Sequence, residues 1–177
     1  EVEFTGYANF FGAEFTGSAD FSEVEFTGYA DFSGAEFTGY ANFSRAAFTR
    51  NANFSRVEFT GYANFSRAAF TRNANFSEAK FTGNTNFSQA EFTSANFSEA
   101  EFTGDADFSE AEFIRANFSE AEFTEYADFS EATFEEKPIF ERALGDKTCK
   151  AKFSCKADPE DYNFEVSHIS PYKIETE

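Results

Sequence analysis

Few residues in this chain have the type and spacing to do chemistry. His168 is the only histidine, so neither a His-activated nucleophile nor a multi-His metal centre can be assembled. Cys149 and Cys155 stand six apart with no other ligand pattern near them, which leaves two readings, a disulfide in an oxidising compartment or a pair of free thiols. Carboxylates are abundant, but Glu14, Glu36, Glu58, Glu101 and Glu122 recur at a near-constant interval, with Lys80 interrupting. Acid–base catalysis needs two carboxyls whose surroundings push their pKa values apart, and a solvated ladder gives every member the same surroundings. A non-enzymatic chain without a cofactor or bound metal is expected.

Charge is distributed unevenly. Residues 1–44 hold eight acids and no base, residues 45–80 six bases and two acids, and residues 81–134 twelve acids and one base, within a net charge of -18. Phosphate binding needs Lys and Arg, so direct nucleic-acid binding is not expected. The exception is the set Arg45, Arg50, Arg67 and Arg72, a candidate interaction patch between two acidic zones. Seven Asn-Phe-Ser triplets, from Asn42 to Asn117, match the glycosylation acceptor pattern, but they follow from the repeat described next.

What must position these residues is set by phenylalanine. Of 29 phenylalanines, all but Phe11, Phe153 and Phe164 keep a spacing of five or six from Phe4 to Phe140. A helix fails to explain this, because at about 100° per residue such steps scatter the Phe side chains around the axis. A long flat strand fails because its period is two. Disorder is excluded by the regular aromatic core. A solenoid that bends at fixed intervals and turns one large residue inward per side fits. The residue two before each in-frame Phe is Ala, except for Val2, Val24, Val57, Thr85 and Pro138, which marks a tight interior site.

The units ANFSR (41–45), AAFTR (46–50), AEFTG (35–39) and AEFTS (90–94) resemble the pentapeptide-repeat family, over about 135 of 177 residues. The resemblance implies an all-β solenoid, a right-handed quadrilateral β-helix with four sides per coil. The chain departs from a plain five-residue unit by an extra residue at alternate corners, such as Tyr40 and Asn51, where a bulge is expected. About six to seven coils follow, with interior stacks that include Phe37, Phe43, Phe48 and Phe54 in one coil and Phe59, Phe65, Phe70 and Phe76 in the next. An independent regularity supports the register: the residue after Phe is almost always Thr on sides one and three and almost always Ser on sides two and four.

Residues 1–135 are therefore expected to form the β-helix and residues 136–177 a C-terminal cap, holding the last repeat-like unit AKFSC (151–155) and a short helix opened by Asp158, Pro159 and Glu160. No long loop interrupts the repeats. No apolar run is long enough to span a bilayer. The absence of Met is expected of a processed form or a fragment.

Function is expected to be that of a structural or protein-interaction module with an unidentified protein partner, and the cap offers a surface for a homodimer. The resemblance adds an alternative, since some family members are acidic DNA mimics of type II topoisomerases such as DNA gyrase. The compartment stays open, with the cytoplasm favoured and an extracellular setting implied if Cys149 and Cys155 are bridged.

Overall fold

The computed structural model describes residues 2–144 and 147–153. They form a parallel four-sided β-solenoid of about six coils, with no helix among them. Equivalent strands of successive coils pair in parallel and in register: Glu14 with Glu36, Glu36 with Glu58 and Phe59 with Phe81 on side three, Ala19 with Ala41 and Ala41 with Ala63 on side four. Most of the solenoid strands are two residues long because the chain must turn before a third can pair.

The hydrogen bonds explain why Thr and Ser segregate. On sides one and three the Thr hydroxyl donates to the Phe carbonyl one coil back, as in Thr49 to Phe26 at 3.3 Å and Thr60 to Phe37 at 3.4 Å. On sides two and four the residue before Phe is Asn or Asp, short enough to accept from the backbone N–H two residues on, as Asn42 does from Ser44 at 3.1 Å. Serine then enters a tight turn closed by the Ala46 N–H on the Phe43 carbonyl at 3.1 Å.

The third residue of each such turn has a left-handed backbone. Gly12 and Gly34 fill it at φ 62° and 64°, but ten further turns use Glu, Arg or Gln, from Glu23 at 56° to Glu131 at 56°. A β-carbon in this region costs about 1–2 kcal/mol, partly offset by glycine's larger entropy in the unfolded chain, about 0.5–1 kcal/mol. Glu99→Gly is thus expected to stabilise the protein by about 0.5–1 kcal/mol, read as a rise in the denaturant midpoint, with Gly34→Ala moving it the other way.

The corners after sides one and three carry the extra residue. At Phe70–Asn73 it makes a β-bulge: Thr71 and Arg72 stand opposite a shorter connection, so that Asn73 pairs with Ser94 and Ala74 with Ala95. The strands Ala69–Asn75 and Glu91–Asn96 run through this corner and join sides one and two into one sheet.

Inside, all four walls are phenylalanine, and from Phe26 to Phe134 each in-frame ring is buried. Rings one coil apart stack face to face, as Phe43 on Phe65 at 4.8 Å and 1°. Sides two and four also interleave across the axis edge to face, Phe43–Phe54 at 5.5 Å and 89°, Phe54–Phe65 at 5.5 Å and 89°, Phe65–Phe76 at 5.5 Å and 88°. Both geometries suit the quadrupole of the ring. Alanine lines most of the remaining interior, with Val24, Val57 and Thr85 buried at the same position, because little room is left beside these rings.

The grammar changes after Phe134. Glu141–Leu144 and Lys147–Lys150 pair antiparallel as a hairpin, and Lys152–Phe153 then returns to side three, pairing Lys152 with Glu122 and Phe153 with Phe123. The step from side two to side three is thirteen residues here, from Phe140 to Phe153, against five from Phe118 to Phe123. Lys152 and Phe153 thus take the side-three position of a last repeat-like unit, reached by way of the hairpin. The expected helix at 158–169, His168 and the Cys149–Cys155 pairing lie outside the described residues.

Candidate interaction surfaces

The solenoid converts sequence intervals into columns. Residues one coil apart stack at the inter-strand distance of about 4.8 Å, so the outward residue of each side and the residue of each corner form straight rows along the rod.

Arg45 and Arg67 occupy the turn between sides four and one, in the left-handed backbone at φ 56° and 57°. Arg50 and Arg72 occupy the bulged corner between sides one and two. Between the two rows lie Ala47 and Ala69, paired in register. The four arginines therefore border a single stretch of side one with a small-residue floor. Arg45 donates to Glu23 at 3.0 Å and Arg67 to Gln89 at 2.6 Å. Among the described residues Arg50 and Arg72 make no ion pair.

Two basic residues escaped the sequence reading. Arg115 stands on the same corner, in the row of Asn73 and Ser94. Arg56 stands on the next corner and grips Glu78 with two bonds of 2.9 Å. The guanidinium holds the Glu78 carboxyl below its usual range, and the carboxylate raises Arg56. Part of the belt is legible in the sequence: GYANFSRAAFTRNANFS occurs at 39–55 and again at 61–77, so the outward side chains of this stretch recur one coil on, whereas Arg56 meets Glu78.

The glutamates of side three form the expected ladder, Glu14, Glu36 and Glu58, then Glu101 and Glu122 beyond Lys80. A groove of about 780 Å³ runs beside it from Arg56, past Glu78, Glu99 and Glu120, to Lys150 and Lys152. Lys152 pairs with Glu122, which raises the lysine pKa. These carboxylates are regularly spaced and line an open groove. Among the described residues no cluster of His, Cys, Asp or Glu is arranged for a metal ion, and no helix is long and apolar enough to cross a membrane.

Side chains also ladder by amide. On side two Asn53 donates to Asp31 at 3.3 Å, Asn75 to Asn53 at 3.3 Å, Asn96 to Asn75 at 3.2 Å and Asn117 to Asn96 at 3.2 Å. Exposed tyrosines stack on two corners, Tyr7 on Tyr29 at 5.4 Å and Tyr40 on Tyr62 at 5.6 Å. Withdrawal from water, followed by its bond to Asp31 at 3.1 Å, raises the Tyr7 phenol.

Asp20 starts the equivalent row on side four. The Ser22 hydroxyl and N–H, then the Asn42 amide, hold its carboxyl below the usual value, while slight burial works against them. A carboxyl depressed on folding stabilises the protein above its unfolded pKa of about 3.9, and this is lost as pH falls through the folded value. An NMR titration of Asp20 is expected to show a midpoint below about 3.9 that moves back toward that value in Ser22→Ala. An unmoved midpoint would contradict the turn as its cause.

A family model described as pentapeptide repeats (9 copies) matches residues 1–47, 21–69, 32–79, 65–112 and 97–143. Among solved structures, two trypsin-treated variant forms of QnrB1, a plasmid-mediated fluoroquinolone resistance protein, are similar. One is 19% identical over 87% of this chain and 90% of that chain, with a TM-score of 0.22. The other is 15% identical over 74% of this chain and 92% of that chain, with a TM-score of 0.18. No curated protein sequence matches significantly.

Proposed function

The chain belongs to the pentapeptide-repeat family, and on that footing we propose that it is a non-enzymatic protein-interaction module, a stiff rod whose outward rows of side chains are read by a protein partner. The observation that carries this is the division of labour in each coil. Apolar bulk is turned inward from Phe26 to Phe134, while among the described residues the outward positions form in-register rows of charge beside open grooves. Such a surface offers shape and charge at fixed pitch, which favours docking over bond-making.

The patch bordered by Arg45, Arg50, Arg67 and Arg72 is the candidate contact on this reading. The test is affinity capture of a partner with the purified protein, compared with a variant in which these four arginines are reversed to glutamate. A partner held by the former and released by the latter supports the assignment; equal retention removes the patch from it.

A second reading, mimicry of DNA toward a type II topoisomerase, draws on charge density. Residues 1–134 hold 22 acids and 7 bases, a net charge of −15 over a rise of about 30 Å at the inter-strand spacing. That is one charge per roughly 2 Å, close to the about 1.7 Å of duplex DNA. The basic belt at 45–80 breaks this density in the middle, which ranks the reading second. Inhibition of DNA gyrase supercoiling by the purified protein supports it, and inactivity at tens of micromolar sinks it.

A further inference from the structure

The geometry points to a partner of the same kind: the arginine-bordered stretch of side one is a socket for the glutamate ridge on side three of a second copy of this chain. This rests on the reading of the solenoid as an interaction module and names the occupant of one surface.

The two faces complement each other position by position. On side one, Ala47 and Ala69 form a low floor between Arg45 and Arg67 at one edge and Arg50 and Arg72 at the other. On side three, the exposed Glu14 and Glu36 form a ridge between Gly12 and Gly34 at one edge and Gly17 and Gly39 at the other. Both faces span the same five-residue interval between edges, from Arg45 to Arg50 and from Gly12 to Gly17. Where one face is tall and positive the other is bare glycine, and where one is flat alanine the other carries a carboxylate. A β-carbon at Gly12, Gly17 or Gly34 would meet nothing within 4 Å, so these edges are open to an approaching surface.

Pitch selects the partner. The arginine rows and the glutamate row both repeat once per coil, at about 4.8 Å. Only a partner whose charges repeat at the same interval fills both levels of the socket, and this chain carries such a row itself. Arg50 and Arg72 have no ion pair among the described residues, which leaves their donors for the incoming carboxylates. The contact joins different faces, so it is heterologous and propagates into open chains of rods. It is small and charged, hence reversible and weakened by salt.

The test measures mass by sedimentation and light scattering against protein concentration at about 0.15 M ionic strength and again at high salt. The protein is expected to form concentration-dependent oligomers that dissociate in high salt. A socket variant, Arg45→Glu, Arg67→Glu, Arg50→Ser and Arg72→Ser, places in the Arg45 and Arg67 row the residue it already carries at Glu23 and Glu110. A ridge variant, Glu14→Ala and Glu36→Ala, uses the residue that side one carries at Ala47. Each alone is expected to associate about tenfold more weakly or worse, and an equimolar mixture to give a closed 1:1 pair, since each retains the half the other lacks.

A wild-type monomer at every concentration overturns the proposal, as does association unchanged in the socket variant, which would place the contact elsewhere. A monomer that still binds poly-L-glutamate through the four arginines also overturns self-docking, while leaving the interaction-module reading in place.

Discussion

Replacing Phe65 with alanine lowers the stability of the solenoid by about 3–5 kcal/mol, measured as the free energy of unfolding in denaturant. Phe65 sits at the middle of the rod, stacked on Phe43 at 4.8 Å and on Phe87 at 4.9 Å, and held edge to face by Phe54 and Phe76, each at 5.5 Å. Its loss opens a void that the backbone cannot collapse into, because the ladders above and below fix the coil spacing. Phe11, 71% exposed, is the internal control: Phe11→Ala is expected to shift stability by no more than about 0.5 kcal/mol. The two variants separate the packed rings from an exposed ring outside the repeat. A loss below about 1 kcal/mol for Phe65→Ala would contradict the interlocked core, since it would mean the walls close over the gap.

Gly61→Ala is expected to destabilise by about 1–3 kcal/mol without touching the aromatic core. A β-carbon built on Gly61 would lie 2.3 Å from the carbonyl oxygen of Gly39, one coil back. The obstacle is backbone on both sides, so relief requires separating two coils that are hydrogen-bonded along their length. Arg72 occupies the equivalent position on the other bulged corner, where a longer strand and a register shift accompany it. At Gly61 the row is glycine above and below, from Gly17 to Gly104, and has no such adjustment. Thermal unfolding monitored by circular dichroism reads the effect; an unchanged midpoint would show that this corner opens freely.

The coil itself was legible because one physical demand, a large ring per side, leaves a fixed interval in the sequence. The alternation of Thr and Ser was visible too, although its cause, a Thr hydroxyl reaching back one coil and an Asn or Asp capping its own turn, emerges only from the hydrogen bonds. The left-handed backbone at Arg45, Arg67 and Glu99 was not legible. Glycine advertises such a conformation, whereas here the ladder imposes it on ordinary residues. The hairpin 141–150 was hidden for a related reason: a repeat is recognised by its interval, and an insertion between Phe140 and Phe153 destroys the interval while leaving the pairing intact. The arginines were individually visible, and their shared floor at Ala47 and Ala69 followed once the coil length was known. The rows of Arg56 and Arg115 needed the corners to be placed.

The regular pairing has a bearing on how the chain reaches this state. Glu36 pairs with Glu14, Glu58 with Glu36 and Phe123 with Phe102, so up to Phe134 each segment finds its partner 21 or 22 residues behind it. The entropy of closing such a loop is the same for every coil and grows no further with chain length. A nascent chain leaving the ribosome can therefore lay each turn on the one before it, with the newest turn as template for the next. Acquisition of structure is expected to keep step with synthesis, leaving only a coil or so of unpaired strand exposed at any moment.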